Sequence, residues 1–197
     1  MKTFIKRARL SFPTLWVPEP FETGGTKRYG AALLVPKDDP QIATIKAAIM
    51  TAGKAHFHEK FEDPKFRKTV KMHGFRDGDE KEYDGYADHW YISANRPEHK
   101  GPPLILDTNK RELTEASGKP YGGCYVNASV EFWGDSRYGR AVNCTLLGLQ
   151  FVADGASFGG GARGSADDFE EIEPEVDEAF TGETATVEED DDDDPLA

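Results

Sequence analysis

Gly123-Cys124-Tyr125-Val126-Asn127-Ala128-Ser129-Val130-Glu131-Phe132-Trp133 is the stretch that decides the fold. Val126, Ala128, Val130 and Phe132 alternate with Tyr125, Asn127, Ser129, Glu131 and Trp133, the period of two expected of a strand with one buried face. Gly134-Asp135-Ser136-Arg137-Tyr138-Gly139 supplies a hairpin tip, and Arg140 to Val152 reads as the returning strand.

Upstream of this hairpin, Phe4 to Phe12 reads as a first strand with Phe4, Ala8, Leu10 and Phe12 turned inward. Ile5, Arg7, Arg9 and Ser11 then form a basic outer face. Pro13, Pro18 and Pro20 are expected to stop the pairing, leaving a loop from Trp16 to Gly25 that also holds Phe21, before a second strand at Lys27 to Val35. Asp38-Asp39-Pro40 offers an N-cap followed by proline at the first helical position. Ile42, Ile45, Ala48, Ile49, Ala52 and Phe57 recur at helical spacing, which predicts a helix over 40–61. Glu62 to Asp88 is a polar, turn-rich insertion around a short strand. Strands are expected at His89 to Asn95 and Pro103 to Asp107, followed by a long turn from Thr108 to Pro120. The fold class is therefore mainly β with an inserted helix.

Charge is divided along the chain. The net charge is −12, but 16 of the 36 acidic residues lie after Gly164, where there is no Lys or Arg. The preceding 164 residues keep 20 acidic against all 24 basic residues, a net +4. We expect a domain over 1–154, a Gly-rich linker over 155–164 and a disordered acidic tail over 165–197, since Glu188 to Asp194 repels itself and lacks apolar anchors. No run approaches the roughly 20 apolar residues of a membrane span, and Lys2, Lys6 and Arg7 interrupt any export signal. A soluble, cytoplasmic protein is expected, with Cys124 and Cys144 as reduced, buried thiols.

Short motifs give little chemistry. Gly159 to Gly164 matches G-x-G-x-x-G, but an acidic tail stands where a dinucleotide fold needs a helix. Asp77-Gly78-Asp79-Glu80-Lys81 opens like a calcium loop and then places Lys81 at a ligand position, so it reads as a charged turn. His56 and His58 lack partners at metal-binding spacing. No local nucleophile signature or carboxylate dyad stands out, and no cofactor is implied.

What rises above background is the pairing of rings with cations. Arg7, Arg9, Trp16, Lys27, Arg28, Tyr29, Lys71, Arg76, Tyr125, Trp133, Arg137, Tyr138 and Arg140 fall at expected outward strand positions, in loops or at loop tips. Such a surface suits single-stranded nucleic acid, because unpaired bases stack on aromatic faces while Lys and Arg follow the phosphates.

Three blocks carry a resemblance to the single-stranded DNA-binding proteins of tailed phages and prophages. They are Ala8-Arg9-Leu10-Ser11-Phe12-Pro13, Gly122 to Val130, and the segment holding Val142-Asn143-Cys144, Leu149-Gln150-Phe151-Val152 and Asp154-Gly155. The resemblance implies an elaborated five-stranded OB-fold barrel related to the T-odd phage proteins. It also implies DNA in a groove beside the strands and an acidic tail that meets replication or recombination partners. The chain ends Asp194-Pro195-Leu196-Ala197, without the terminal aromatic residue common to such tails. Two other readings stay open: an acidic-tailed protein adaptor and a metal-dependent nuclease. So does oligomeric state, a homodimer included.

Overall fold

The computed structural model describes residues 1–20 and 25–158. Its strands are β1 (Lys2–Pro20), β2 (Lys27–Pro36), β3 (Lys71–Met72), β4 (Arg76–Asp77), β5 (His89–Pro97), β6 (Leu104–Leu106), β7 (Tyr125–Asp135) and β8 (Ala141–Ala153). Helix α1 (Gln41–Phe57) and the single turn α2 (Pro64–Arg67) interrupt them. Five strands form a barrel in the order β8-β7-β1-β2-β5, and β5 returns to β8 through the parallel pair Asn95 and Thr145. The short strands β3 and β6 add to β8, and β4 adds to β5. Among the described residues no helix is long and apolar enough to cross a membrane.

The β7–β8 hairpin follows the alternation of its sequence. Val126, Ala128, Val130 and Phe132 are fully buried and pair across to Phe151, Leu149, Leu146 and Cys144. Helix α1 sets Ile42, Ile45 and Ile49 into the same core, with Asp39 Oδ1 accepting from the Gln41 N–H at 2.8 Å as the expected cap. The helix stops at Phe57 rather than 61, because His58 turns left-handed at φ 58° and starts a short 3-10 turn. That turn folds Phe61 back over Gly53, where a Cβ would lie only 2.1 Å from the phenyl ring. The Asp77–Glu80 turn is closed by Lys37 Nζ, 2.6 Å from Asp77 and 2.5 Å from Asp79. Lys37 holds both carboxyls below their ordinary range, so they act as an ion-pair clamp.

Strand β1 departs from expectation twice. It runs on through Pro13 and Pro18 and ends at Pro20, pairing Glu19 with Arg28 and Pro20 with Lys27. The prolines are tolerated because the ladder to β2 is irregular from Ser11 to Glu19. Its phase is also reversed near the start: Ile5 is fully buried and Phe4 is 55% exposed. Arg7, at φ 47°, sits in a bulge between Ile5 and Ala8 that inserts one residue and swaps the faces. A second irregularity contains Phe12, at φ 45°, and turns that ring outward as well.

Both cysteines are free and buried. Burial pushes the Cys124 thiol up to about 11 and the Cys144 thiol further still, which leaves neither ionised near neutral pH.

The bulge gives a direct test of the register. Ile5→Ala should cost about 2–5 kcal/mol in urea unfolding, the range for a buried aliphatic truncation, whereas Phe4→Ala should stay within about 0.5 kcal/mol of the parent. The reverse order would place the bulge elsewhere.

Candidate nucleic-acid interface

Barrel closure leaves a low polar band on its outer surface. Thr14, Gly30, Asn95 and Thr145 stand side by side across β1, β2, β5 and β8. The band is low because a Cβ on Gly30 would come within 2.7 Å of Asn95 Oδ1. Asn95 Nδ2 reaches Ser93 Oγ at 3.4 Å, and Trp133 Nε1 donates to Thr145 Oγ1 at 2.9 Å, which fixes the indole beside the band. Gly30, Ser93, Asn95 and Thr145 offer no aromatic or cationic signal in the sequence; only the closure of β5 on β8 reveals them.

The ring and cation residues divide among several stations. At the β7–β8 tip, Arg137 forms an ion pair with Asp135 and lies 5.9 Å from the Trp133 ring centre, while Tyr138 is 97% exposed. Arg140 stacks 4.7 Å from the Phe66 ring and donates to Thr69 Oγ1 at 3.1 Å. Lys71 is beside it, its backbone N–H bonded to Arg140 O. Phe66 and Thr69 escaped the sequence reading because α2 is a single turn without periodicity. Next to Arg140 opens a cleft of about 760 Å³, lined by Lys54, His56, His58 and Lys60 among others. Its wall is tied by His56 Nε2 to Ser136 Oγ at 2.9 Å.

Arg76 lies 5.8 Å from the Tyr91 ring. Burial first, then Arg76 and Lys71, hold the nearby His73 imidazole below its usual value, a sign of local positive potential. Lys27 and Arg28 are exposed at the start of β2. Trp16 packs partly against the core. Tyr29 is a correction: it is buried, only 8% exposed, because it shares the inward face of β2 with Ala31, Leu33 and Val35.

Arg7 stacks 5.0 Å from the Tyr125 ring on the β1–β7 surface. Arg9 is engaged differently. Beyond β8 the chain stays on the barrel as a strap over 154–158, and Arg9 holds it: Nη2 donates to Ala156 O at 2.8 Å, Nε to Gly123 O at 3.2 Å, and the guanidinium covers the Phe158 ring at 4.2 Å. Asp154 accepts from Lys119 Nζ at 2.9 Å and Tyr121 OH at 3.0 Å, which lowers its carboxyl below the ordinary range. The remainder of the expected linker, from 159, and the acidic tail lie outside the described residues, as does Phe21.

A five-stranded barrel closed between its third and fifth strands, with cation-bearing hairpins at its rim, defines the OB class of oligomer-binding folds. The family described as Enterobacter phage Enc34, ssDNA-binding protein, matches residues 1–181, and the chain belongs to it. The p50 protein of Acyrthosiphon pisum secondary endosymbiont phage 1 is 39% identical over 180 residues, covering 87% of this chain and 94% of that protein. The single-stranded DNA-binding protein of bacteriophage Enc34, solved in complex with ssDNA, matches with a TM-score of 0.65 at 27% identity, over 80% of this chain and 89% of that one. Bacteriophage T7 gp2.5, a single-stranded DNA-binding protein, shares the fold with a TM-score of 0.52 at 16% identity, over 89% of this chain and 100% of its own.

The strap has its own test. Gly123 adopts φ 104°, and a Cβ there would lie 2.1 Å from Ala156 O. Gly123→Ala should lift residues 154–158 from the barrel, read as faster hydrogen exchange at the Phe158 amide, which donates to Gly122 O at 3.2 Å. Unchanged protection would contradict the contact.

Proposed function

We propose that this protein binds single-stranded DNA without reading its sequence and keeps it unpaired during phage replication, recombination or repair. The observation that carries this reading is membership, across residues 1–181, of a family whose Enc34 member has been solved with ssDNA bound. The surface chemistry agrees. Rings such as Tyr138 and Trp133 offer stacking faces to bases at about 1–3 kcal/mol each. Lys27, Arg28, Lys71 and Arg140 neutralise phosphates and release counterions. Amide and hydroxyl groups on the outer band accept or donate without selecting one base. Duplex DNA hides its base faces, so binding by mass action draws melting DNA toward the open form.

The protein acts by binding, without a reaction of its own, in the cytoplasm of the infected bacterium. The acidic tail is proposed to compete with phosphates for the positive body and to engage protein partners when DNA displaces it. A chain of that length spans roughly 30 Å by square-root scaling, enough to reach the cationic surface.

Titration with oligo-dT at two salt concentrations tests the reading. Binding should weaken steeply with salt; silence at low salt would favour the adaptor, and cleavage of labelled ssDNA in magnesium would favour the nuclease. Tyr138→Ala should lose a stacking-sized share of affinity with the salt slope intact, while Arg140→Ala should reduce that slope by about one unit. Deleting residues from Ser165 onward should tighten binding at low salt, and equal affinity would remove the competing role of the tail.

A further inference from the structure

The second irregularity of β1 leads to a site outside the outer band. Phe12 is a bulky residue held left-handed at φ 45°, a strained conformation for such a side chain, and its ring is 61% exposed. Burial of this ring therefore does little to offset the strain. The ring stands in a T-shaped contact, 5.1 Å from Tyr83, which is itself 52% exposed. Tyr83 is backed by the buried Tyr86 at 5.4 Å, whose hydroxyl donates to Ser11 Oγ at 3.3 Å. Phe158 also lines the resulting cleft, delivered by the strap and braced by Arg9 at 4.2 Å. The cleft measures about 460 Å³ and has Pro13 and Gly122 in its lining.

We propose that this cleft is a stacking subsite for one unpaired nucleobase, which packs against the exposed face that the Phe12 and Tyr83 rings make together. The inference rests on the ssDNA reading and extends it to a place that the sequence pattern assigned to the core. Glu82 and Asp84 also line the cleft. As acceptor-only groups they repel phosphate, so the backbone stays outside while a base enters with its amino hydrogens toward them. A basic side chain from a protein is the competing guest. The Arg9 guanidinium braced on Phe158 opposes it, since a second cation there would meet a like charge.

The test uses the full chain and a mixed-sequence 20-mer, with Kd measured by fluorescence anisotropy across a salt series. Phe12→Asn removes the ring while keeping a residue that tolerates the left-handed backbone; Phe12→Trp restores a stacking face. Phe12→Asn should weaken binding roughly fivefold or more, with an unchanged salt slope, and Phe12→Trp should bind like the parent. Tyr83→Ala, in a loop outside the barrel strands, should give the same loss and serves if Phe12→Asn does not fold. Parental affinity in Phe12→Asn and Tyr83→Ala overturns the subsite while the ssDNA reading stands. A parent chain that binds no oligonucleotide overturns both.

Discussion

Closure of the sheet on itself is the constraint from which the remaining architecture follows. Five strands bury their inner faces together only if the first and last meet, and here they meet through Asn95 beside Thr145. The meeting point admits no bulk on the outer side, which is why Gly30 lies against Asn95 and Thr14 beside Gly30. One geometric requirement thus produces both a sealed apolar interior and a flat polar exterior. Large rings and long cations are displaced to the hairpin tips and to the margins of the band. A surface of that form can follow a flexible polymer without specifying its sequence.

Strand β7 was legible because its alternation is unbroken: each residue from Val126 to Phe132 lies where a period of two puts it, and the extra residues of the ladder fall on β8. Helix α1 was legible for the same reason, together with its aspartate cap. Strand β1 was misread because a period-two count fails at an inserted residue, and Arg7 and Phe12 are not the glycines that usually mark such positions. Tyr29 was misread because a tyrosine directly after Lys27 and Arg28 resembles a surface residue, although strand parity carries it inward. The outer band was invisible, since Ser93, Asn95 and Thr145 acquire meaning only through pairing between strands 50 positions apart in the chain. The strap was equally hidden, because Gly155 to Phe158 reads compositionally as the start of a linker.

Electrostatics follow the same division between local and global information. The segregation of acid after Gly164 is plain in the sequence, and it reverses the meaning of a net charge of −12. Which cations remain available is a matter of folding. Lys37, Lys54, Arg111, Lys119 and Arg137 each have a carboxylate partner, whereas Lys27, Arg28 and Lys71 stand exposed with no salt bridge among the described residues. The number of basic residues therefore overstates the field a polyanion meets, and their placement decides it.

The strap over 154–158 also has a mechanical meaning. Any pull transmitted from the chain beyond Phe158 reaches the Phe158–Gly122 and Arg9–Ala156 hydrogen bonds first, then the Tyr121 and Lys119 contacts, and only afterward the end of β8. Those bonds anchor to β1 and to the approach to β7, so the load is divided among separate strands. Tension then acts to shear a clamp before it can unzip the barrel's closing seam.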